Sequence, residues 1–403
     1  MILRQTISPA LRFGLVGAFF IAGDLSASSG PAQSGLFAFA DNAITSATNP
    51  AGLTRIDNPE WLGQLAVFLT DSTFEKSADQ SSGALSADSD SVLIAPFVYY
   101  ARPIGDNWGV GGSFTALGFG EDLGSQGPGR YLVDEWALAV LSLAPAAGYR
   151  FNEHLSVGAA LRINYTYYRF ESAVFNGPGV DDGRMKIESG DVSLSGQLGL
   201  LYEFSDKTRV GLNWTAEDDP ELSDTPEFSS GSGGPAQEVS ITSRTPQSLG
   251  AGVWHQFAGG SSFSLDAVWI EFSEFGVSEF RVNGNEVTAQ DQDFEDVWIF
   301  TAGYWHPLSD KWTVKAGLLY STQFIKDVNR TQNFKMDQIF GIGVGGEYRW
   351  GSNKIMGLNL NYYDLGEAPV EVDIPIVGRF TGRYTKHQSI GLDFTLRWRR
   401  DAL

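Results

Sequence analysis

The chain has 403 residues with no cysteine, 47 glycines, 13 % aromatic residues and a formal charge of −20. That charge argues against nucleic acid as a partner, since no basic stripe could meet a phosphate backbone. The missing cysteines exclude a disulfide scaffold and a thiolate metal site, and this much glycine and aromatic residue suits many strands better than packed helices.

Taken in chain order, Met1 to Arg12 carries Arg4 and Arg12 and no acid, Phe13 to Gly23 is apolar, and small residues follow in LSASSG. This order of charged, apolar and small regions predicts a secretory signal over residues 1–27, with a buried soluble helix as the alternative. No later apolar run approaches the roughly 18 residues of a membrane helix. NAITSATNPAGLTRI (42–56) is too small and polar for a core strand, and Pro50 prevents a long helix.

Beyond it, the chain alternates with period two. Leu155, Val157, Ala159, Leu161, Ile163, Tyr165 and Tyr167 are apolar, while Ser156, Gly158, Arg162, Asn164 and Thr166 are small or polar. One face is oily and the other wet. The pattern returns around 192–202, 356–362 and 389–398. About fourteen strands are expected, starting near Trp61, Ser91, Asn107, Leu138, His154, Lys186, Lys207, Glu238, Ser262, Phe294, Lys311, Phe334, Lys354 and Arg383.

Connection lengths separate a soluble sandwich from a membrane barrel. Six links are short and carry turn residues: IGDN, FNEH, FSDK, FAGGS, LSDK and GSNK. Longer polar links, among them 71–90, 119–137, 216–237 and 367–382, alternate with them. Tight periplasmic turns, long outer loops and an even strand number predict an all-β, antiparallel transmembrane β-barrel of the Gram-negative outer membrane. Closure is required because an open sheet edge in hydrocarbon leaves backbone groups unsatisfied. Aromatics near strand ends are expected to form interfacial girdles. They are Trp61, Tyr99, Tyr149, Phe151, Tyr202, Phe204, Trp254, Phe257, Trp305, Trp312, Tyr348, Trp350 and Trp398.

FADNAITSATNPAGLTRI resembles the N-terminal hatch motif of the FadL/TodX outer-membrane transporters. GRYLVDEWALAVLSLAPAAGYRFNEHLSVGAALRINY, TPQSLGAGVWHQFAGGSSFSLDAVWIEFSEF and DVWIFTAGYWHPLSDKWTVKAGLLYS follow in the family's order. The resemblance implies a barrel over 60–398, a small hatch over 28–59 inside the lumen, and a short periplasmic tail over 399–403. Within the hatch it singles out Asn49, Pro50, Ala51 and Gly52; a plain turn into the first strand is the bland alternative. A barrel of this width cannot be filled by wall side chains alone, so a plug makes physical sense.

The implied function is uptake of long-chain fatty acids or similar hydrophobic compounds. The implied steps are capture by outer loops, an internal apolar pocket, hatch movement and lateral exit through a kink in the third strand. Candidate ligand-binding residues are Leu132, Val133, Trp136, Phe170 and Phe175, with Arg162 as the best-placed cation for a carboxylate because alternation turns it to the lumen. Gly109, Gly111 and Gly112 lie within the third strand and mark either a kink or a close approach of the hatch.

Expected partners are hydrophobic small molecules, outer-membrane lipid and lipopolysaccharide, and the barrel-assembly machinery. The expected state is a monomer. No cofactor or metal is implied, and no nucleophile motif or histidine spacing points to an enzyme. A general aqueous porin and a structural or adhesive barrel are the rival readings.

Overall fold

The computed structural model describes residues 30–77, 86–122, 130–131, 134–177, 179–229, 237–287, 293–330, 337–374 and 378–400. The expected signal over 1–27, Leu132, Val133 and the last three residues lie outside them.

Fourteen antiparallel strands of the described residues close into a barrel. They are β1 (Glu60–Lys76), β2 (Ser86–Ile104), β3 (Trp108–Asp122), β4 (Glu135–Arg150), β5 (Leu155–Val174), β6 (Gly183–Ser205) and β7 (Thr208–Thr215). The second half comprises β8 (Ser248–Gln256), β9 (Ser262–Ile270), β10 (Val297–Pro307), β11 (Trp312–Ser321), β12 (Ile339–Trp350), β13 (Lys354–Asp364) and β14 (Gly378–Arg399). Neighbours in sequence pair around the ring, and β14 closes on β1 from Glu60↔Arg399 to Lys76↔Gly382. No helix of the described residues is long and apolar enough to cross a membrane.

All six short links form turns at one end. The long links differ from expectation, because much of each is strand. Both β1 and β2 run far into 71–90, while 369–374 adds a strand to β14. The eighth wall strand starts at Ser248 rather than near Glu238. Residues 239–244 instead join 221–224, 276–282 and 285–287 in a separate four-stranded sheet at the long-loop end. Alternation by itself marks a strand without saying which sheet receives it.

Outward positions carry Leu65, Ile94, Leu161, Leu194, Leu212, Leu265, Leu318, Leu358 and Leu392, all exposed. An exposed apolar belt of this extent is explained by lipid contact. Trp61, Phe151, Phe204, Trp312, Trp350 and Trp398 are likewise exposed. Tyr99, Trp254 and Trp305 are not girdle residues, being buried on the lumen side. Their strand parity, rather than their nearness to a strand end, decides the face.

Candidate functional site: the filled lumen

Residues 30–59 run inside the ring. Pro31–Gln33 and Pro50–Arg55 are 3₁₀ turns, with a single helical turn at Thr45–Thr48. A segment so short in regular structure must satisfy its backbone elsewhere, and the wall supplies the partners.

Asp266 on β9 accepts the N–H groups of Gly35 at 2.6 Å and Leu36 at 3.1 Å, and the Thr301 hydroxyl at 3.1 Å. Gly35 has φ +95°, a left-handed conformation suited to glycine, and a Cβ there would press on Ser264 and Trp254. A few residues on, the polarity reverses. Arg209 of β7, 1 % exposed, donates to the carbonyls of Ala38 and Phe39 and to the Asp41 carboxylate. Residues 35–41 are therefore held by an acceptor on one side and a donor on the other.

More charges tie down the next stretch. Glu60, fully buried, accepts from the Ala43 N–H at 2.8 Å, from Arg397 at 2.6 Å and from Arg399 at 2.8 Å. Both arginines also donate to the Asp41 carbonyl. Arg55 bridges Asp41 and Glu203, and Arg150 donates to the Thr54 carbonyl. This arginine-rich level lies at the short-turn end.

The Asn49 side chain accepts from the Ala51 N–H at 3.2 Å and donates to the carbonyls of Phe37 at 2.7 Å and Leu200 at 3.0 Å. It thus caps the following turn, joins two parts of the segment and anchors both to β6. Pro50 occupies the first position of that turn, where a missing N–H costs nothing. Ala51 is fully buried, and a Cβ on Gly52 would collide with Thr45 and Ala40.

Wall glycines make room for the segment. A Cβ would come within 3.0 Å of residues 31–53 at Gly109, Gly148, Gly158, Gly199, Gly211, Gly250, Gly303, Gly317 and Gly343. Four of these face one another across successive strands, as Gly109↔Gly148, Gly148↔Gly158 and Gly158↔Gly199; Gly303↔Gly317 and Gly317↔Gly343 make a second ladder. Close backbone approach is one physical reason for glycine in a strand interior. Gly111 joins them, its Cβ position meeting Leu53 and the Tyr100 carbonyl, whereas Gly112 faces the Ala144 backbone.

The apolar parts divide by level. Ala43, Ile44, Leu53 and Ile56 pack on Leu62, Ala66, Ala95, Phe97, Tyr99 and Ala146 of the wall. Phe39 packs between Trp254, tilted with centroids 4.8 Å apart, and Trp305, edge-on at 4.6 Å. Towards the long-loop end, Leu36 and Phe37 meet a larger buried cluster that contains Trp136, Tyr168, Phe170, Met185, Val268 and Ile270, together with the rings Phe272, Phe275, Phe294 and Phe324.

Two of the sequence-selected ligand residues, Trp136 and Phe170, come together here as a directly paired couple. Trp136 belongs to β4 rather than to a loop, because strand pairing with β5 continues past it to Glu135↔Glu171. Phe175 lies beyond the end of β5 and is 46 % exposed, with its ring 6.1 Å from Tyr131, outside the buried cluster. Arg162 faces the lumen side at half burial and interacts electrostatically with Asp218, which also accepts from Asn164 and Ser193.

One seam in the wall is incomplete. Pairing of β2 with β3 runs from Ile104↔Trp108 to Phe97↔Thr115. Beyond it, β2 continues on β1 to Ser86 and β3 continues on β4 to Asp122, and no ladder joins β2 to β3 among the described residues. Pro96, which has no N–H to donate, stands where they part. Ala95, Phe97 and the partly buried Leu117 line the place, beside Ala43, Ile44 and Ala47.

A closed barrel of long strands with a lipid-facing apolar exterior, its lumen occupied by the chain's own N-terminal segment, defines a multi-pass outer-membrane β-barrel of the Gram-negative type. The chain belongs to the outer membrane protein transport protein family (OMPP1/FadL/TodX), whose model matches residues 12–399. It is 21 % identical over 370 residues to a long-chain fatty acid transport protein of Salmonella typhi, covering 84 % of this chain and 85 % of the relative. To its counterpart in Escherichia coli K12 it is 19 % identical over 383 residues, covering 84 % and 85 %.

Among solved structures, a Pseudomonas aeruginosa FadL homologue superimposes with TM-score 0.80 at 16 % identity, covering 96 % of this chain and 99 % of that one. The P. putida toluene transporter TodX gives 0.71 at 17 % identity, covering 94 % and 99 %. These likenesses are to the fold. The relatives' names describe transport proteins, not enzymes.

Proposed function

We propose that this protein takes up hydrophobic small molecules across the outer membrane, with residues 30–59 acting as a movable hatch. Outer loops capture the molecule, the apolar cluster around Trp136 and Phe170 receives it, hatch movement opens the way inward, and exit is lateral. The carrying observation is the continuity of apolar side chains from that cluster to Leu36 and Phe37 on the hatch itself. A ligand seated above these two residues would alter the packing of the segment that must move.

The parting of β2 and β3 supports a lateral exit, since the backbone there is unpaired between two otherwise continuous strands. Lateral release also suits a molecule that prefers lipid to water. The proposed protein is a monomer set in outer-membrane lipid and lipopolysaccharide and inserted by the barrel-assembly machinery. A general aqueous porin would keep its lumen open, and the arginine contacts that hold residues 38–55 to the wall support the plugged reading instead.

The test is to introduce cysteines at Ala95 and Leu117 and join them with a short bifunctional maleimide in whole cells. Cross-linking should abolish uptake of a labelled lipophile, and cleaving a reducible linker should restore it. Undiminished uptake after complete cross-linking would refute exit through this seam.

A further inference from the structure

The buried cluster above the hatch holds little that could receive a charged headgroup. Among the described residues, the guanidinium groups of Arg130, Arg169, Arg184 and Arg330 border it, and each pairs with acid. Arg169 pairs with Glu135 at 3.1 Å and Glu171 at 2.7 Å, and Arg184 pairs with the same Glu171 at 3.2 Å and with Asp134 at 3.4 Å. Arg130 pairs with Asp182 at 2.8 Å. Arg330, fully buried, pairs with Asp327 at 2.8 Å and Asp337 at 3.4 Å and donates to the Ile325 carbonyl at 3.2 Å. Asp134, Glu135, Glu171, Asp182, Asp327 and Asp337 are six carboxylates against these four guanidinium groups, and Lys186 and Lys326, next in sequence to Met185 and Ile325, pair with Glu188 at 2.5 Å and Glu295 at 3.0 Å.

A ligand carboxylate would have to displace one of these acids, leaving it unpaired, or share its cation in a region of excess negative charge. Both are costly where Asp134, Glu171 and Arg330 are buried, and less so at the exposed Arg184 and Asp327. Asp134 and Asp337 already feel this environment, as burial raises both above the usual carboxylate range while Arg184 and Arg330 oppose the shift.

Trp136 is an uncommitted neutral donor in the cluster. At its border, the Ser172 hydroxyl and the Nε atoms of Arg169 and Arg330 also lack a partner among the described residues, the last two on guanidinium groups already paired with acid. Trp136 is 8 % exposed, and its indole N–H is buried without an acceptor among the described residues. A buried donor without a partner carries a desolvation cost that an incoming acceptor would relieve. Indole can only donate, so it selects an acceptor and needs no charge.

We infer that this site takes uncharged hydrophobic molecules bearing a single hydrogen-bond acceptor, such as esters, ketones or ethers, in preference to carboxylates, with Trp136 as the donor that reads the acceptor. This rests on the uptake reading above and narrows its ligand class. A neutral hydrocarbon would fit the same walls without using the donor.

The test uses the full protein, stripped in detergent, equilibrated at pH 8 with matched sets: methyl dodecanoate, dodecane and dodecanoate, and methyl benzoate, ethylbenzene and benzoate. Retained molecules are quantified by mass spectrometry after desalting. In whichever set binds, the ester should be retained at least about tenfold more tightly than the acid, as expected for one unpaired buried charge. Trp136→Phe should weaken the ester by about fivefold, the worth of one hydrogen bond, and spare the hydrocarbon. Glu171→Gln, which removes the carboxylate shared by Arg169 and Arg184, should raise retention of the acid.

Equal or preferred binding of the acid by the unmodified protein would overturn the charge inference and leave the transporter reading intact. Equal losses of ester and hydrocarbon in Trp136→Phe would overturn the donor's role. Retention of no member of either set would remove both the inference and the uptake reading at this site.

Discussion

Replacing Arg209 by methionine should release residues 38–41 from the wall while leaving the barrel closed. The side chain donates to two backbone carbonyls and one carboxylate from a nearly inaccessible position. Removing one partner of a buried ion pair costs roughly 3–5 kcal/mol. Asp41 is 36 % exposed and keeps Arg55, so the lower end applies. At about 1.4 kcal/mol per tenfold, a loss of about 3 kcal/mol raises the undocked population by roughly a hundredfold. The chain contains no cysteine, so a single Ala38→Cys substitution reports directly on this segment. Ala38 is fully buried, and maleimide labelling of outer membranes should be slow with Arg209 present and about a hundredfold faster with methionine. Equal labelling rates in the two backgrounds would refute the clamp.

Other expectations follow from the same contacts. On β6, a Cβ at Gly199 would lie 2.2 Å from the Asn49 side chain, while Gly196 has nothing within 4 Å. Gly199→Val should therefore undock the Asn49 stretch at a cost of about 1–3 kcal/mol, and Gly196→Val should not. Heat-modifiable mobility on gels verifies the barrel in both, and Ala38→Cys labelling separates them. Asp266→Ala removes the acceptor of the Gly35 and Leu36 N–H groups. Exchange protection of those two amides should fall about tenfold to a hundredfold, while protection at 50–55 should hold. Glu60→Gln removes the charge that two arginines share with the Ala43 N–H, and should raise the frequency of brief conductance events in planar bilayers without altering strand content.

The barrel was legible because its chemistry repeats. Period-two alternation recurs along the chain, and each short turn carries its own glycine, asparagine or aspartate. The Asn49 to Gly52 stretch stood out because it fitted neither pattern. What stayed hidden depends on which strand neighbours which. Glu238 looked like the start of a wall strand because a small outer sheet alternates as well as a wall does. For Tyr99, Trp254 and Trp305, strand parity and not distance from a strand end decides the face.

Asp266 and Arg209 are legible in the sequence only as a kind of position, not by their partners. Each is a charge within a spanning strand on its polar parity, a position where an ionisable residue is costly without a partner. The glycine ladder was visible only in part: Gly109 and Gly111 stood out in the third strand. The match of Gly109 to Gly148, Gly158 and Gly199 requires the register.

The most direct test of the central claim, a closed barrel that binds and passes lipophiles, joins two readings on one preparation. The protein is purified in mild detergent, its retained hydrophobic molecules are identified by mass spectrometry, and its conductance is recorded in planar bilayers. Retained uncharged lipophile with negligible steady conductance is the predicted result. Large, stable conductance with nothing retained would mean that residues 30–59 do not seal the lumen and that the protein works as an aqueous pore.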